Sequence, residues 1–182
     1  MIEICPTKTE GVLLIKPTFF EDHRGEYLEL YNEKLYKSKG IDIDFVEDDI
    51  SIATKGVIKG IHGDSVTWKL ISCLHGKFYL VVINYDDQSK HFKQWQAFVL
   101  SEVNKHQVLV PPKHGNGHLC LSEKSIFHYK QSAYYEPTRQ FTLKWNDPTL
   151  NIWWPIKDPI LSERDECGFF KNQDYNEELY VL

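Results

Sequence analysis

Short runs of apolar and β-branched residues, each followed by a turn signal, recur along most of this 182-residue chain. Several alternate with the period of two that a half-buried strand requires. They predict strands at residues 12–15, 26–31, 70–74, 77–83, 95–100, 106–110, 125–131 and 141–144. Only His75 and Gly76 separate the third strand from the fourth, and this short link predicts a hairpin. Many short strands at near-regular spacing favour a β-sandwich or a closed barrel.

Helical patterns are scarce by comparison. The best one begins at the capping residue Asn32 and ends before Gly40. The single Met and the few Ala also argue against a helical bundle. The length suits one domain over residues 1–182, without an internal repeat or linker. Residues 167–182 form an acidic, weakly patterned C-terminal extension, which fits either a terminal helix or a loose tail.

The composition excludes several classes of function. A formal net charge of -5 provides no basic field to attract nucleic acid. No apolar run reaches the ~20 residues that span a bilayer, and the N-terminus lacks the apolar core of a signal peptide. The four cysteines are widely spaced, as expected of reduced thiols rather than a disulfide framework. We therefore predict a cytoplasmic protein that binds neither nucleic acid nor membranes.

His62 is the leading candidate for a catalytic base. It ends an apolar, strand-like run and lies between Gly60 and Gly63, which permit a ligand to approach the backbone. Lys59 and Lys69 occupy neighbouring apolar runs that would face the same interior. A base beside two cations suits a reaction in which an oxyanion forms. The alternative is a structural histidine, which is the commoner role for a lone His at the end of a strand.

Tyr129 and Asp165 complete a possible proton-transfer set. Tyr129 lies in a strand-like alternating segment, where the alternative is a core or rim aromatic. Asp165 follows Leu161 and Ser162 and is otherwise a surface or helix-start carboxylate. With His62 they offer a base, a phenol and a carboxylate that orients the base. Their convergence in space is a hypothesis at this stage.

The segment after Pro111 and Pro112 predicts a rigid loop that carries His114 and His118. Jelly-roll metal sites typically use a His-x-His pair, and no such pair occurs in this sequence. A metal site also needs three or four converging ligands, so we predict none. Elsewhere, Arg24 lies in a turn that leads into a strand, where an arginine either holds phosphate or remains a solvated surface residue.

An ordered set of short motifs resembles the dTDP-4-dehydrorhamnose 3,5-epimerase family from about residue 10 to residue 166. Each motif is weak alone, but their order is highly specific. The set comprises Asp22-x-Arg24-Gly25-x-Tyr27-x-Glu29, Gly56-Val57-Ile58-Lys59-Gly60-Ile61-His62, Lys69-Leu70, Pro111-Pro112, Leu121-Ser122, Tyr129-Lys130, Trp145-Asn146-Asp147-Pro148, Trp154-Pro155 and Leu161-Ser162-x-x-Asp165.

The resemblance implies an all-β, cupin-type jelly-roll barrel with a few short peripheral helices. It also implies a homodimer that acts without metal or cofactor on a nucleotide-linked 4-keto-6-deoxy sugar. The family's catalytic base falls on His62, the Asp that pairs with it on Asp165, and its acid on Tyr129, while Lys69 falls near the keto oxygen. The implied substrate-binding residues are Arg24, Tyr27, Glu29, Glu47, Asp49, Lys59, Asn116 and His118.

Several positions depart from the family pattern. The family usually has Arg at Lys59, Gln and Asn at Glu47 and Asp49, and His at Asn116, and a buried Asp common in the family is here Leu80. In addition, His62-Gly63-Asp64 and Gly115-Asn116-x-His118 resemble epimerases of GDP-linked 4-keto-6-deoxy-heptoses in bacterial capsule biosynthesis. We therefore expect inversion at C3, C5 or both of a GDP-heptose.

Four alternatives remain open. One is the dTDP-4-dehydrorhamnose 3,5-epimerase reaction on a dTDP-hexose, and another is a sugar-nucleotide 3,4-ketoisomerase on the same scaffold. A sugar-binding jelly roll that has lost catalysis is the non-enzyme reading. A metal-dependent cupin oxygenase is the fourth.

Overall fold

The computed structural model describes residues 1–168, and these contain thirteen strands and two α-helices. The strands are β1 Ile2–Pro6, β2 Leu13–Pro17, β3 Phe19–Asp22, β4 Gly25–Leu28, β5 Glu47–Thr54, β6 Ile58–Gly63, β7 Lys69–His75, β8 Lys77–Asn84, β9 Trp95–Ser101, β10 Gln107–Val110, β11 His114–Cys120, β12 Lys124–Gln131 and β13 Phe141–Thr142. The helices are α1 Glu33–Ser38 and α2 Glu163–Cys167, and a 3₁₀ turn covers Pro137–Arg139.

Two antiparallel sheets form the body of the protein. One has six strands in the order β1-β2-β10-β7-β12-β5, and the other has five in the order β13-β6-β11-β8-β9. Strands β3 and β4 pair only with each other, as a separate hairpin. Neighbours within each sheet are mostly distant in sequence, as in a jelly roll. The predicted cupin-type jelly roll is confirmed.

The main core lies between the two sheets. Ile71 and Phe127 enter it from the six-stranded sheet, and Phe78, Leu80 and Val82 enter it from the five-stranded sheet. These side chains alternate along their strands, because residues two apart share one face. The departure at Leu80 therefore adds a fully buried apolar contact to this core.

Two further apolar clusters cover the outer faces of the sheets. Helix α1 packs Tyr36 against Ile15 and Leu109 on the six-stranded sheet. On the other side, Trp154 in the segment before α2 packs against Ile58 and Ile61. This second cluster connects the segment before α2 to the strand that carries His62.

The predicted helix at residues 32–39 is confirmed as α1. The side chain of Asn32 accepts a hydrogen bond of 3.0 Å from the backbone N–H of Leu35, which caps the first turn. The predicted strands at 26–31 and 141–144 are shorter in the structure, as β4 and β13.

The predicted hairpin between residues 70–74 and 77–83 is wrong. The two segments are strands, but β7 lies in the six-stranded sheet and β8 in the five-stranded sheet. Only Gly76 separates them, and the tightest common hairpin loops contain two residues. The chain therefore turns a corner from one sheet to the other at this glycine.

The predicted rigid loop at residues 114–118 is also wrong, because this segment is the fully buried strand β11. A side chain at Gly115 would approach Ile61 Cγ2 to 2.7 Å, so only glycine leaves room for the neighbouring strand. The glycines at 115 and 117 alternate with His114, Asn116 and His118. This period of two is the strand signal that the proline pair obscured.

Among residues 1–168, neither helix has the length and apolar character needed to cross a membrane. The four cysteines are free thiols. The predicted C-terminal extension begins at Cys167, the last residue of α2, and its remainder from residue 169 lies outside the described residues.

Candidate active site

Polar side chains from both sheets also lie in the interior, beside the apolar core. From the five-stranded sheet, His62 on β6 lies directly across from Asn116 on β11. From the six-stranded sheet, Lys69 on β7 lies across from Gln131 on β12. Gly60 makes the strand geometry possible, since its φ is +110° and an added Cβ would lie 2.6 Å from Gly117 Cα.

His62 and Asp165 are in direct contact, as the resemblance implied. The distance from His62 Nε2 to Asp165 Oδ1 is 2.6 Å. Helix α2 fixes the carboxylate, because Ser162 caps the helix and donates a 2.9 Å hydrogen bond to Asp165 Oδ2. The imidazole therefore presents one of its two nitrogens to a buried carboxylate, which orients the ring.

Burial and the ion pair act in opposite directions on the two groups. Burial lowers the pKa of His62 below its usual value, although the Asp165 carboxylate opposes this change. Burial alone would raise the pKa of Asp165, but the hydrogen bonds from His62 and Ser162 outweigh it and lower the pKa. The resting pair is thus a neutral imidazole and a carboxylate, which is the state that a general base requires.

Lys69 and Tyr129 form the opposite wall of the site. Lys69 is 9% exposed, and its Nζ lies 5.9 Å from the centre of the Tyr129 ring. Burial lowers the pKa of Lys69, and it raises the pKa of Tyr129, where Asp49 and Glu47 add to the effect. A neutral phenol is suitable for donating a proton, and a buried ammonium is suitable for stabilising an oxyanion.

Arg164 is a second, partly buried cation near the site, and it was not predicted from the sequence. Its Nε donates a 2.9 Å hydrogen bond to Thr142 Oγ1 on β13, and its charge lowers the pKa values of both His62 and Lys69. The sequence signal was its place beside Asp165 in the first turn of a short helix.

Glu47 and Asp49 point to the same face of β5 as Tyr129 does on β12. Asp49 lies directly across from Tyr129, and Glu47 lies across from Gln131. Gln131 Nε2 donates to Glu47 Oε1 and, at 3.0 Å, to Asp49 Oδ2. Gln131 was not identified from the sequence, because nothing in the alternating strand distinguishes it from other polar residues.

Lys59, Asn116 and His118 line the other side of the interior. Lys59 Nζ crosses to the opposite sheet and donates to Ser51 Oγ at 2.7 Å and to the Ile52 carbonyl at 3.0 Å. Burial lowers the pKa of His118 to about 3, so the ring is neutral, and it stacks on Phe127 with ring centres 4.1 Å apart. Asn116 is 8% exposed and lies beside the base.

Three expected substrate-binding residues lie apart from this interior. Arg24 is exposed in the turn between β3 and β4 and pairs with Asp22. Tyr27 is 67% exposed on β4, and Glu29 accepts a 3.0 Å hydrogen bond from Asn32. Their substrate-binding role stays a prediction.

Within residues 1–168, no three His, Cys, Asp or Glu side chains are grouped as a metal ion would require. His114 and His118 lie four residues apart on one strand, and His114 Nδ1 contacts the Pro112 carbonyl at 3.0 Å. The two histidines are therefore not arranged as a ligand pair.

The jelly roll, with an imidazole, a phenol and an ammonium in its interior, is the arrangement expected of a cupin-type acid–base enzyme. A family model described as dTDP-4-dehydrorhamnose 3,5-epimerase matches residues 6–171. The chain belongs to this family, and it is an isomerase of the epimerase type.

Curated relatives and solved structures agree with this placement. The dTDP-4-dehydrorhamnose 3,5-epimerase of Shigella flexneri is 32% identical over 179 residues, which cover 96% of this chain and 99% of that protein. The crystal structure of the Bacillus anthracis enzyme of the same name, with TDP and PPi bound, has a TM-score of 0.88 and 34% identity, covering 91% of this chain and 97% of that one. The dTDP-6-deoxy-D-glucose-3,5-epimerase of Legionella pneumophila, in complex with dTDP-4-keto-L-rhamnose, has a TM-score of 0.88 and 33% identity, with 92% of each chain covered.

Asp165→Asn is expected to lower kcat by about 10²-fold. The amide neither stabilises the imidazolium nor holds the same ring tautomer, while its size is nearly unchanged. Steady-state product formation followed by NMR measures the loss. Asp158→Asn, on the segment before α2, is the matched control and should keep wild-type activity. Wild-type activity in Asp165→Asn would contradict an orienting role for the carboxylate.

The pH profile of kcat/KM should have its acid limb below pH ~6.5, the ordinary pKa of histidine. The base acts only when neutral, and burial lowers the pKa of His62, so protonation removes activity at a pH below the usual range. In Asp165→Asn the limb should move to still lower pH, because the carboxylate opposes the effect of burial. A limb above pH ~6.5 in the wild type would contradict this assignment.

Proposed function

We propose that the protein inverts C3, C5 or both of a nucleotide-linked 4-keto-6-deoxy sugar through an enolate. The contact between His62 and Asp165 inside the barrel carries this proposal, because it supplies a neutral, oriented base. A ketone at C4 acidifies the hydrogens on C3 and C5, and these are the positions that such a base attacks. Named relatives that act on dTDP-linked 4-keto sugars support the same substrate class.

Each inversion requires two proton transfers on opposite faces of the sugar ring. His62 takes the proton from carbon, and the electron pair of the broken C–H bond moves into the enolate. The Lys69 ammonium stabilises the enolate oxygen, since a buried cation acts strongly on a charge in a site of low polarity. Tyr129 then donates its phenolic proton to the other face, which restores the ketone and inverts the carbon.

The nucleotide we propose is dTDP, carried by a 6-deoxy-hexose. The sequence motifs favoured a GDP-heptose, but the similar proteins are epimerases named for dTDP-linked sugars, which supports the dTDP alternative. Asp64 belongs to the motif that favoured the heptose. Its carboxylate instead accepts hydrogen bonds from Thr67 Oγ1 at 2.6 Å and from Gln140 Nε2 at 3.0 Å, and it therefore stabilises the loop after β6.

We also propose that the protein is a homodimer in which the hairpin of β3 and β4 binds substrate with a second copy. The hairpin pairs with neither large sheet, and Phe20 and Tyr27 on it are 68% and 67% exposed. Arg24 at its tip is a suitable ligand for the diphosphate. Light scattering of the purified protein should give the mass of two chains, and a monomer would contradict the proposal.

Product NMR tests the proposed reaction. The protein is incubated with dTDP-4-keto-6-deoxy-glucose and, in parallel, with a GDP-linked 4-keto-6-deoxy sugar. We expect the dTDP sugar to return a 4-ketone with inverted C3, C5 or both. A carbonyl that has moved to C3 would instead indicate the 3,4-ketoisomerase. Turnover of the GDP sugar alone would contradict the nucleotide assignment and restore the heptose reading.

A further inference from the structure

Glu47 and Asp49 form an unusual pair of carboxyl groups beside the proposed acid. Both side chains are hydrogen-bonded to the same nitrogen, Gln131 Nε2. Asp49 is paired across the strands with Tyr129, and side chains in that relation have Cβ atoms about 5 Å apart. The pair therefore lies next to the phenol that must lose a proton in each inversion.

Two adjacent carboxyl groups in a partly buried site do not both ionise easily, because like charges repel and burial penalises each charge. Burial raises the pKa of Asp49, and contact with Glu47 raises it further, while the hydrogen bond from Gln131 opposes both. The other groups that act on Asp49 are Lys69 from β7, which favours the charged form, and Asp48 on its own strand, which disfavours it.

Tyr129 needs a proton source after it has reacted. Burial raises the pKa of its phenol, and Asp49 and Glu47 raise it further. A phenolate left there after proton donation is consequently a strong base beside an acidic group. Proton transfer from a carboxylic acid to this phenolate is favourable, because an ordinary carboxyl pKa is about 6 units lower than that of a phenol.

We propose that the Glu47–Asp49 pair holds one proton and passes it to the Tyr129 phenolate after each inversion. This inference rests on the proposed epimerase function. The carboxyl O–H bond breaks and leaves its electron pair on the carboxylate, while the phenol O–H bond forms. Water then returns a proton to the pair, and His62 releases to water the proton that it took from carbon, so the proton balance closes in each cycle.

The outer end of the pair is placed to exchange protons with water. Glu47 Oε2 accepts a 3.1 Å hydrogen bond from the backbone N–H of Tyr135, a residue that is 44% exposed. Asp49, at the inner end, lies across from Tyr129, and its charge acts on Lys69. The pair thus connects the rim of the site to the phenol.

The ratio of first-turnover to steady-state rates tests this supply of protons. In Asp49→Asn and Glu47→Gln, the new amide oxygens still accept from Gln131 but carry no acidic proton. A first turnover uses the proton already on Tyr129, whereas later turnovers wait for a new one. Rapid-quench kinetics should therefore show a ratio at least about 10-fold higher than in the wild type. If the first turnover and the steady-state turnovers slow by the same factor, the proposal is overturned.

Asp48→Asn is the matched control, because it removes a carboxylate from the same strand on the opposite face. Asp48 contacts His128 Nε2 at 2.8 Å and Lys130, away from Tyr129. Its rate ratio should equal that of the wild type. A ratio as high as that of Asp49→Asn would show a general effect of charge on β5 and would overturn the specific proposal.

Carbon-13 NMR titration of the Asp and Glu carboxyl groups gives a readout that needs no substrate. One resonance of the pair should titrate above the ordinary carboxyl range of about 4, and Glu47→Gln should move that of Asp49 back down. Two independent titrations in the ordinary range would overturn the inference. If the wild type instead fails to exchange hydrogen in any 4-keto sugar nucleotide, the proposed function is overturned whatever the titration shows.

Discussion

His62→Asn is expected to lower the rate of epimerisation by about 10⁴-fold, the upper end of what a positioned general base contributes. The amide is similar in polarity to the imidazole but accepts no proton at accessible pH. Asp165 loses its partner and remains as a buried carboxylate, so it does not replace the base. Product formation by NMR gives the rate, and deuterium uptake from heavy water should fall with it.

His75→Asn is the matched control for this substitution. His75 lies at the surface end of β7, with 52% of its side chain exposed, and pairs with Glu102 at 2.8 Å. The control should keep wild-type activity and exchange. Retention of more than about a tenth of wild-type turnover in His62→Asn would contradict its assignment as the base.

Tyr129→Phe is expected to slow inversion by about 10³-fold while His62 still exchanges hydrogen on its own face. The substitution removes only the phenolic oxygen, so packing against Phe127 is kept. His62 takes a proton and, after exchange with heavy water, returns a deuteron to the same face. NMR of the recovered sugar should therefore show deuterium at carbons that have kept their configuration.

Tyr79→Phe is the corresponding control. The Tyr79 hydroxyl donates a 3.1 Å hydrogen bond to the Trp153 carbonyl in the outer apolar cluster, away from the interior. Inversion and exchange should both remain near wild type. Equal loss of inversion and exchange in Tyr129→Phe would contradict the assignment of the two groups to opposite faces.

The strands with clear alternation were predictable from sequence because one face of each is buried. The partners of each strand were not, since jelly-roll neighbours are distant along the chain. This is why residues 70–83 predicted a hairpin although β7 and β8 belong to different sheets. The same limit affected β11, where prolines and glycines concealed a buried strand.

The residues alone suggested His62 as a base and Asp165 as its partner, and the family resemblance made that pairing specific. His62 and Asp165 are 103 residues apart, and the contact between them depends on a five-residue helix whose first turn Ser162 caps. Composition and spacing alone did not distinguish Asp165 from an ordinary carboxylate at the start of a helix. Arg164 and Gln131 were missed because their roles depend on which side chains the two sheets bring together.

The departures at Glu47 and Asp49 illustrate a further limit. The sequence showed that carboxyl groups replace the family's amides, and this was read as a sign of a different substrate. In the fold, both groups lie beside the proposed acid and share one amide donor, Gln131. Their position supports the proposed supply of protons to Tyr129, which the identity of the residues alone did not suggest.

Deuterium uptake by the substrate tests the central claim most directly. The wild-type protein and dTDP-4-keto-6-deoxy-glucose are mixed in heavy water, with His62→Asn in parallel, and proton NMR follows the signals at C3 and C5. The mechanism predicts that at least one of these signals disappears with the wild type and persists with the variant. Persistence of both signals in the wild type, or their equal loss in the variant, would contradict the claim that His62 removes hydrogen from carbon.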